Sequence, residues 1–331
     1  MSGRLESLPH KMLFQLHHDE YTSLWLTMTM RKTFFFVLIA VIALAGCGGG
    51  GNPVQPPDYD TDIPQSQEDY WIRTADDFGL HLILHRPADS SPSKRYPGLI
   101  LIPGALQAGD VWHSRNRKSN AWEFVDEGMI VLLYDARGRG YSGGTEDYDG
   151  PIQQDDLKIV IEWLNKRPNV LPGGVGIGTS SWGITVAAGT LGRYPDVPVK
   201  FLVDLEGAHD RYVMTQWDDP KWVKILHGHG TWDEEFWKDR EAIKYIGDIT
   251  CPYYRIQSSY DHALDRFYVD HAIAMVDAAV EGKSPFVQLN DMEPNQLYDV
   301  ENADKYHWYK ISQVDLMFFD TILRAMGLPT E

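Results

Sequence analysis

Short, mostly apolar runs at 99–102, 129–134, 175–177, 201–205, 253–256 and 286–289, continuous at 99–102 and 129–134, constrain this chain more than any other feature. A strand that does not alternate polar with apolar residues has both faces buried. That is the mark of a parallel sheet covered by helices on each side. Helical patterns fall between the runs, at 156–166, 183–191, 267–280 and 311–326. In the first of these, Ile159, Val160, Trp163 and Leu164 share one side. Residues 70–74 and 80–86 read as a preceding hairpin, with Asp77 and Gly79 in its turn. The alternation predicts an α/β fold: a doubly wound, mostly parallel sheet of about eight strands with right-handed crossovers. Residues 208–247 break the pattern and carry Trp217, Trp222, Trp232 and Trp237. They are expected to form a helical lid insertion over the strand ends.

With 331 residues, 43% of them hydrophobic, the chain has ample material for one large core. Its formal net charge of −17 repels phosphate backbones and argues against nucleic acid as a partner. The two cysteines, Cys47 and Cys251, leave no disulfide framework. Cys251 precedes Pro252 at the start of an apolar run and reads as a small buried hydrophobe.

The N-terminal region reads as an address. Arg31 and Lys32 precede an apolar stretch at 34–44 that is short for a membrane span. Leu44-Ala45-Gly46-Cys47 then resembles the bacterial lipobox. That resemblance implies cleavage before Cys47, acylation of its thiol, and a body held by lipid in the cell envelope of a bacterium, periplasmic or at the outer membrane or surface. Residues 1–29 lie upstream of a natural start at Met30, with Met28 as another start. Residues 48–67, rich in Gly, Pro and Asp, read as a flexible tether to a domain at 68–331.

The chemistry centres on Gly178-Thr179-Ser180-Ser181-Trp182-Gly183, which follows a strand and opens a helix. That is the context of a nucleophile elbow, where a sharp turn lifts a serine above the sheet beside the free N–H groups of a helix start. Centring the Gly-x-Ser-x-Gly pattern on Ser181 keeps Gly183 and puts threonine at the first glycine. Centring it on Ser180 keeps Gly178 but places Trp182 at the crowded last position, so Ser181 is the expected nucleophile and Ser180 the alternative.

Upstream, Asp135-Ala136-Arg137-Gly138-Arg139-Gly140-Tyr141-Ser142-Gly143 resembles the Asp-x-Arg-Gly-x-Gly-x-Ser loop of α/β-hydrolases. With 159–164 it is similar to the peptidase and esterase branch that includes cocaine esterase and the X-Pro dipeptidyl peptidases. The resemblance covers roughly 69–328 and implies a serine hydrolase on the α/β-hydrolase fold. It does not extend to the β-sandwich domain that the cocaine-esterase group carries after its hydrolase domain. In this family the Asp-x-Arg-Gly loop is structural. The strand end at Pro103-Gly104-Ala105 would supply one oxyanion donor, so the resemblance assigns the hole to the N–H groups of Trp182 and Ala105, with Leu106 as the alternative to Ala105.

A serine hydroxyl needs a base, and the family order is serine, acid, histidine. His307 is the one histidine after the run at 286–289 and is the expected base. The turn Gln257-Ser258-Ser259-Tyr260-Asp261 resembles the family's Gly-x-x-Asp, making Asp261 the expected acid, with Asp265 and Glu206 as rivals. His227-Gly228-His229 lacks a carboxylate pattern and is expected to be lid structure. No cofactor, metal, phosphate loop or dinucleotide fingerprint is expected.

The leading expectation is hydrolysis of a carboxylic ester through an acyl-enzyme. The substrate would be a small apolar or sugar-bearing molecule, given the tryptophans of the insertion. One alternative is an aminopeptidase or dipeptidyl-peptidase chemistry that reads a free amine with Glu206, Asp218 or Asp219. The other is a lipoprotein that binds a ligand without catalysis.

Overall fold

The computed structural model describes residues 66–88, 91, 93–262 and 268–330. The upstream extension, the lipobox with Cys47, nearly all of the expected tether and the rival acid Asp265 lie outside the described residues.

Among the described residues the sheet has eight strands: β1 (Ser66–Arg73), β2 (Gly79–Arg86), β3 (Tyr96–Ile102), β4 (Ile130–Tyr134), β5 (Val170–Ser180), β6 (Phe201–Leu205), β7 (Tyr253–Ile256) and β8 (Val287–Leu289). Their order is β1-β2-β4-β3-β5-β6-β7-β8. The hairpin of β1 and β2 joins β4 antiparallel, and every other pairing is parallel. The hairpin begins earlier than expected, because Ser66 and Gln67 pair with Arg86 and His85.

Apolar runs buried on both faces account for the two layers. Ile100, Ile102, Leu132 and Ile177 face one core, with α2 (Pro151–Asn165), α3 (Gly183–Arg193) and α7 (Asp270–Glu281) packed on it. Leu99, Leu101, Val131 and Leu133 face the other, under α1 (Ala121–Asp126) and α8 (Val314–Met326). Each such side chain contributes about 1.5–3 kcal/mol on burial.

Two helix starts differ from the sequence reading. α2 begins at Pro151, ahead of the expected 156, because proline suits the first helical position and Gly150 caps it. α8 begins at Val314, not 311. Lys310 N donates to Gln313 Oε1 and Gln313 N to Lys310 O, closing a turn that leaves Ile311 exposed.

Between β6 and β7 the chain forms three short α-helices, α4 (Arg211–Met214), α5 (Pro220–Ile225) and α6 (Glu234–Trp237), followed by two 3-10 turns at Ala242–Lys244 and Ile246–Asp248. Val213, Met214, Leu226, Phe236 and Trp237 from this segment pack with Trp182, the residue after Ser181. The insertion is therefore seated on the elbow. Cys251, at the foot of β7, is buried, and burial pushes its thiol up to about 12.

Candidate active site

β5 ends at Ser180, α3 starts at Gly183, and Ser181 between them has φ +51°. A side chain in that left-handed region is strained, and such strain persists where surrounding structure holds it. Here Ser181 N donates to Leu205 O at 2.9 Å, tying the turn to β6. Ser181, not Ser180, is the serine at positive φ. A Cβ on Gly183 would lie 2.5 Å from Pro103 O, so the position two after Ser181 admits no side chain. Gly104 is bound by the same packing, since a Cβ on it would come within 2.7 Å of Ser181 Cβ. Thr179, which departs from the usual motif, pairs in register with Asp204, with its hydroxyl 3.5 Å from Asp204 Oδ1. Gly178 serves a different contact, because a Cβ there would meet Phe318 of α8 at 2.8 Å.

Ser181 Oγ lies 3.1 Å from His262 Nε2. His262 Nδ1 lies 2.9 Å from Glu206 Oε2. A carboxylate only accepts, so the arrangement selects the tautomer with the proton on Nδ1 and leaves Nε2 free to accept from the serine. Glu206 follows β6 at φ +49°, and its Oε1 accepts from Ser258 N at 3.0 Å and from Ser258 Oγ. Burial pushes the Glu206 carboxyl up, but the hydrogen bond and charge of His262 and the bonds from Ser258 outweigh it and hold it below its ordinary value. For His262, burial pulls the imidazole down, and the hydrogen bond and charge of Glu206 reverse that and raise it above the usual value of 6.5. The His262 side chain keeps 38% of its surface accessible, so a substrate can reach the ring.

The expected base and acid are thus corrected. His307 sits in the loop between β8 and α8, 60% exposed, with Nδ1 2.7 Å from Asp291 Oδ1. Asp261 is buried, with Oδ2 3.2 Å from His271 Nε2 and 3.3 Å from Gln257 Nε2. Burial, reinforced by the charge of Arg255, holds the His271 ring well below its usual value and therefore neutral. The order serine, acid, histidine holds, but each partner comes from one strand nearer to β5. Strands are about 4.8 Å apart, so the end of β7 lies roughly 10 Å from β5 and the end of β8 roughly 14 Å. Glu206 is one of the two rival acids the sequence offers. His262 directly follows Asp261 in the 257–261 turn, but no motif of the sequence marks it.

A buried polar chain backs this turn. Arg255 Nη1 donates to Asp204 Oδ2 at 2.5 Å and to Gly207 O at 2.8 Å. Its Nη2 donates to Gln257 Oε1, which His271 Nε2 also approaches at 3.2 Å. Gln257 N donates to Asn290 Oδ1, anchoring the turn to the end of β8. A buried charge needs such pairing, because one left alone costs several kcal/mol.

The Asp-x-Arg-Gly loop is structural. Asp135 accepts from the N–H groups of Gly109 and Tyr141 and from His81 Nδ1. Gly140, at φ +53°, has no room for a side chain, since a Cβ would fall 2.1 Å from Asp135 Oδ2. Arg137 clasps Asp156 of α2 and Asp76 of the hairpin turn, two bonds to each. In the insertion, His229 pairs with Asp233 and stacks on Phe236 with ring centroids 3.9 Å apart.

Ala105 and Trp182, the expected oxyanion donors, flank this geometry on the chain. Trp182 follows Ser181 at the start of α3, and Ala105 follows Gly104 at φ +48°.

Residues 76–217 match the family model described as X-Pro dipeptidyl-peptidase (S15 family). The structure is similar to dipeptidyl peptidase 4 of Porphyromonas gingivalis, at 17% identity and a TM-score of 0.58, over 80% of this chain and 35% of that one. It is similar to a Pyrococcus furiosus esterase at 19% identity and a TM-score of 0.50, over 76% of this chain and 93% of that one. An α/β-hydrolase of Penicillium matches at 17% identity and a TM-score of 0.56, over 80% of this chain and 100% of that one. A dipeptidyl aminopeptidase IV structure from Bacteroides ovatus matches over 36% of its length, so the chain spans about a third of each of these two dipeptidyl peptidases. The chain has the α/β-hydrolase fold, and over residues 76–217 it is similar to the X-Pro dipeptidyl peptidases of the S15 family.

Proposed function

We propose that this protein is a serine hydrolase that cleaves carboxylic esters, with Ser181 as nucleophile, His262 as base and Glu206 as acid. The contact of Ser181 Oγ with His262 Nε2 at 3.1 Å, backed by Glu206 at 2.9 Å, carries the reading. Ser181 Oγ attacks the ester carbonyl while His262 Nε2 takes its proton. Glu206 holds the ring and stabilises the imidazolium that forms. The N–H groups of Trp182 and Ala105 receive the developing oxyanion, where each such donor is worth roughly 2.7–4 kcal/mol. His262 then protonates the leaving alkoxide. Water, deprotonated by the same ring, releases the acid from Ser181.

The ester preference rests on what the carboxylates near the insertion do. Glu206 is engaged by His262 and Ser258. Asp218 accepts from Thr231 N and Oγ1, and Asp219 accepts from Lys221 N at the start of α5. Glu206 and Asp218 thus have both carboxylate oxygens engaged within the chain, and of the three only exposed Asp219, engaged at Oδ1, keeps an oxygen for a substrate ammonium. The family match over 76–217 favours a second reading, cleavage after an amino-terminal dipeptide. Turnover of p-nitrophenyl acetate by wild type and Ser181→Ala, beside a panel of aminoacyl-naphthylamides, tests both. Equal ester rates in the two proteins would sink the serine mechanism. Amide turnover far above ester turnover would favour the peptidase.

Anchoring in a bacterial envelope through Cys47 is a further part of the proposal and rests on Leu44-Ala45-Gly46-Cys47. Palmitate labelling that persists in Cys47→Ser would refute it.

A further inference from the structure

Arg139 does not contact the elbow, yet it reaches the loop that would complete it. Its Nη1 donates to Ala105 O at 3.0 Å. Its Nε and Nη2 grip Glu146 at 2.7 and 2.9 Å, and Nη2 also donates to Asp149 at 2.8 Å. The guanidinium is buried, and Asp149 is fully buried. A planar fork held this way cannot swing, so it presents its remaining donor in one direction. The residue it holds is one that needs holding. Ala105 has φ +48°, a conformation that costs a non-glycine residue roughly 1–2 kcal/mol. Its neighbour Gly104 packs against Ser181, where a Cβ would lie 3.4 Å from the hydroxyl oxygen.

We propose that Arg139 is a positioning residue for the oxyanion hole: its clamp on the Ala105 carbonyl keeps that peptide strained and its loop against Ser181. This inference rests on the serine-hydrolase reading above and extends it to a residue outside the reacting groups. Lysine offers one point charge in place of the fork and cannot satisfy Glu146, Asp149 and Ala105 O together. A misplaced oxyanion donor weakens the transition state more than the bound substrate, so kcat falls while KM holds.

The experiment compares wild type, Arg139→Lys, Ala105→Gly and the double variant on p-nitrophenyl acetate, with a boronic acid as the tetrahedral mimic. Arg139→Lys is expected to lose about tenfold or more in kcat, with KM within about twofold and boronate affinity falling in step with kcat, a fraction of the 10²–10³ for removing a donor outright. Glycine adopts positive φ without strain, so the loss from Arg139→Lys should shrink in the Ala105→Gly background. An unchanged kcat and boronate affinity in Arg139→Lys would overturn the inference, as would a loss of equal size in both backgrounds. Should Arg139→Lys not fold, Glu146→Gln loosens the same clamp from its half-buried side. It is expected to lower kcat and boronate affinity together, and wild-type values for both would overturn the inference. A wild type without Ser181-dependent turnover removes the hydrolase reading itself and this inference with it.

Discussion

Glu206 Oε2 lies 2.9 Å from His262 Nδ1, a carboxylate from the end of β6 meeting an imidazole from the turn after β7. The pair raises the histidine and lowers the glutamate, so each charge supports the other. Only the neutral ring accepts the serine proton. The rate should therefore fall as pH drops through the His262 value, which lies above 6.5. A pH profile of kcat/KM should place the acid-side inflection above that value. In Glu206→Gln the supporting charge is gone, so the inflection should move to lower pH. The plateau rate should also drop by about 10⁴, the scale seen when the orienting acid of a triad becomes an amide. An unmoved inflection would remove Glu206 from the relay.

The two histidines make a direct contrast. His262→Ala should cost about 10³-fold or more in kcat, since the hydroxyl then has no base. His307→Ala should stay within about twofold of wild type in kcat. It should change stability by less than about 0.5 kcal/mol, because His307 and Asp291 form an exposed pair at the surface. Steady-state kinetics and urea unfolding of both variants measure this, and the reverse ranking would restore His307 as the base.

Gly183→Ala would drive a Cβ to 2.5 Å from the Pro103 carbonyl. Overpacking against backbone costs about 1–3 kcal/mol and shifts the groups involved. The variant should melt at a lower temperature than wild type and also lose kcat, because Pro103 leads into the Gly104-Ala105 loop. Gly128→Ala is the control, since a Cβ there meets nothing within 4 Å and the cost comes only from φ +84°. It should leave kcat near wild type whatever it does to the melting temperature.

Away from the site, His85 is buried with Nε2 2.9 Å from His113 Nε2. Burial, then the charge of His113, pushes its imidazole down to about 3. The unfolded chain therefore binds a proton between about pH 6.5 and 3 that the folded chain does not. This contribution to stability is complete above pH 6.5 and declines as pH falls towards 3. Urea midpoints from pH 7.5 to 4 should fall less steeply for His85→Leu than for wild type. Parallel slopes would refute the assignment.

The strands were legible because burial on both faces leaves a local signature. Runs such as 99–102 and 129–134 carry it residue by residue, and the sheet they build is the expected one. Helix starts were less legible: Pro151 opens α2 through a backbone preference that apolar periodicity does not register. Ser181 was legible because the steric demand at Gly183 acts within a few residues of it.

The sequence by itself determined the order of strands and helices and the serine at the elbow. These follow from periodicity and close packing between near neighbours in the chain. Only the tertiary structure decided that Glu206 and His262, not Asp261 and His307, come to that serine. Which side chain reaches a point above the sheet depends on the paths of the turns after β6 and β7. Those paths are set by contacts such as Ser258 with Glu206, Asp261 with His271 and Gln257 with Asn290, between residues distant in the chain.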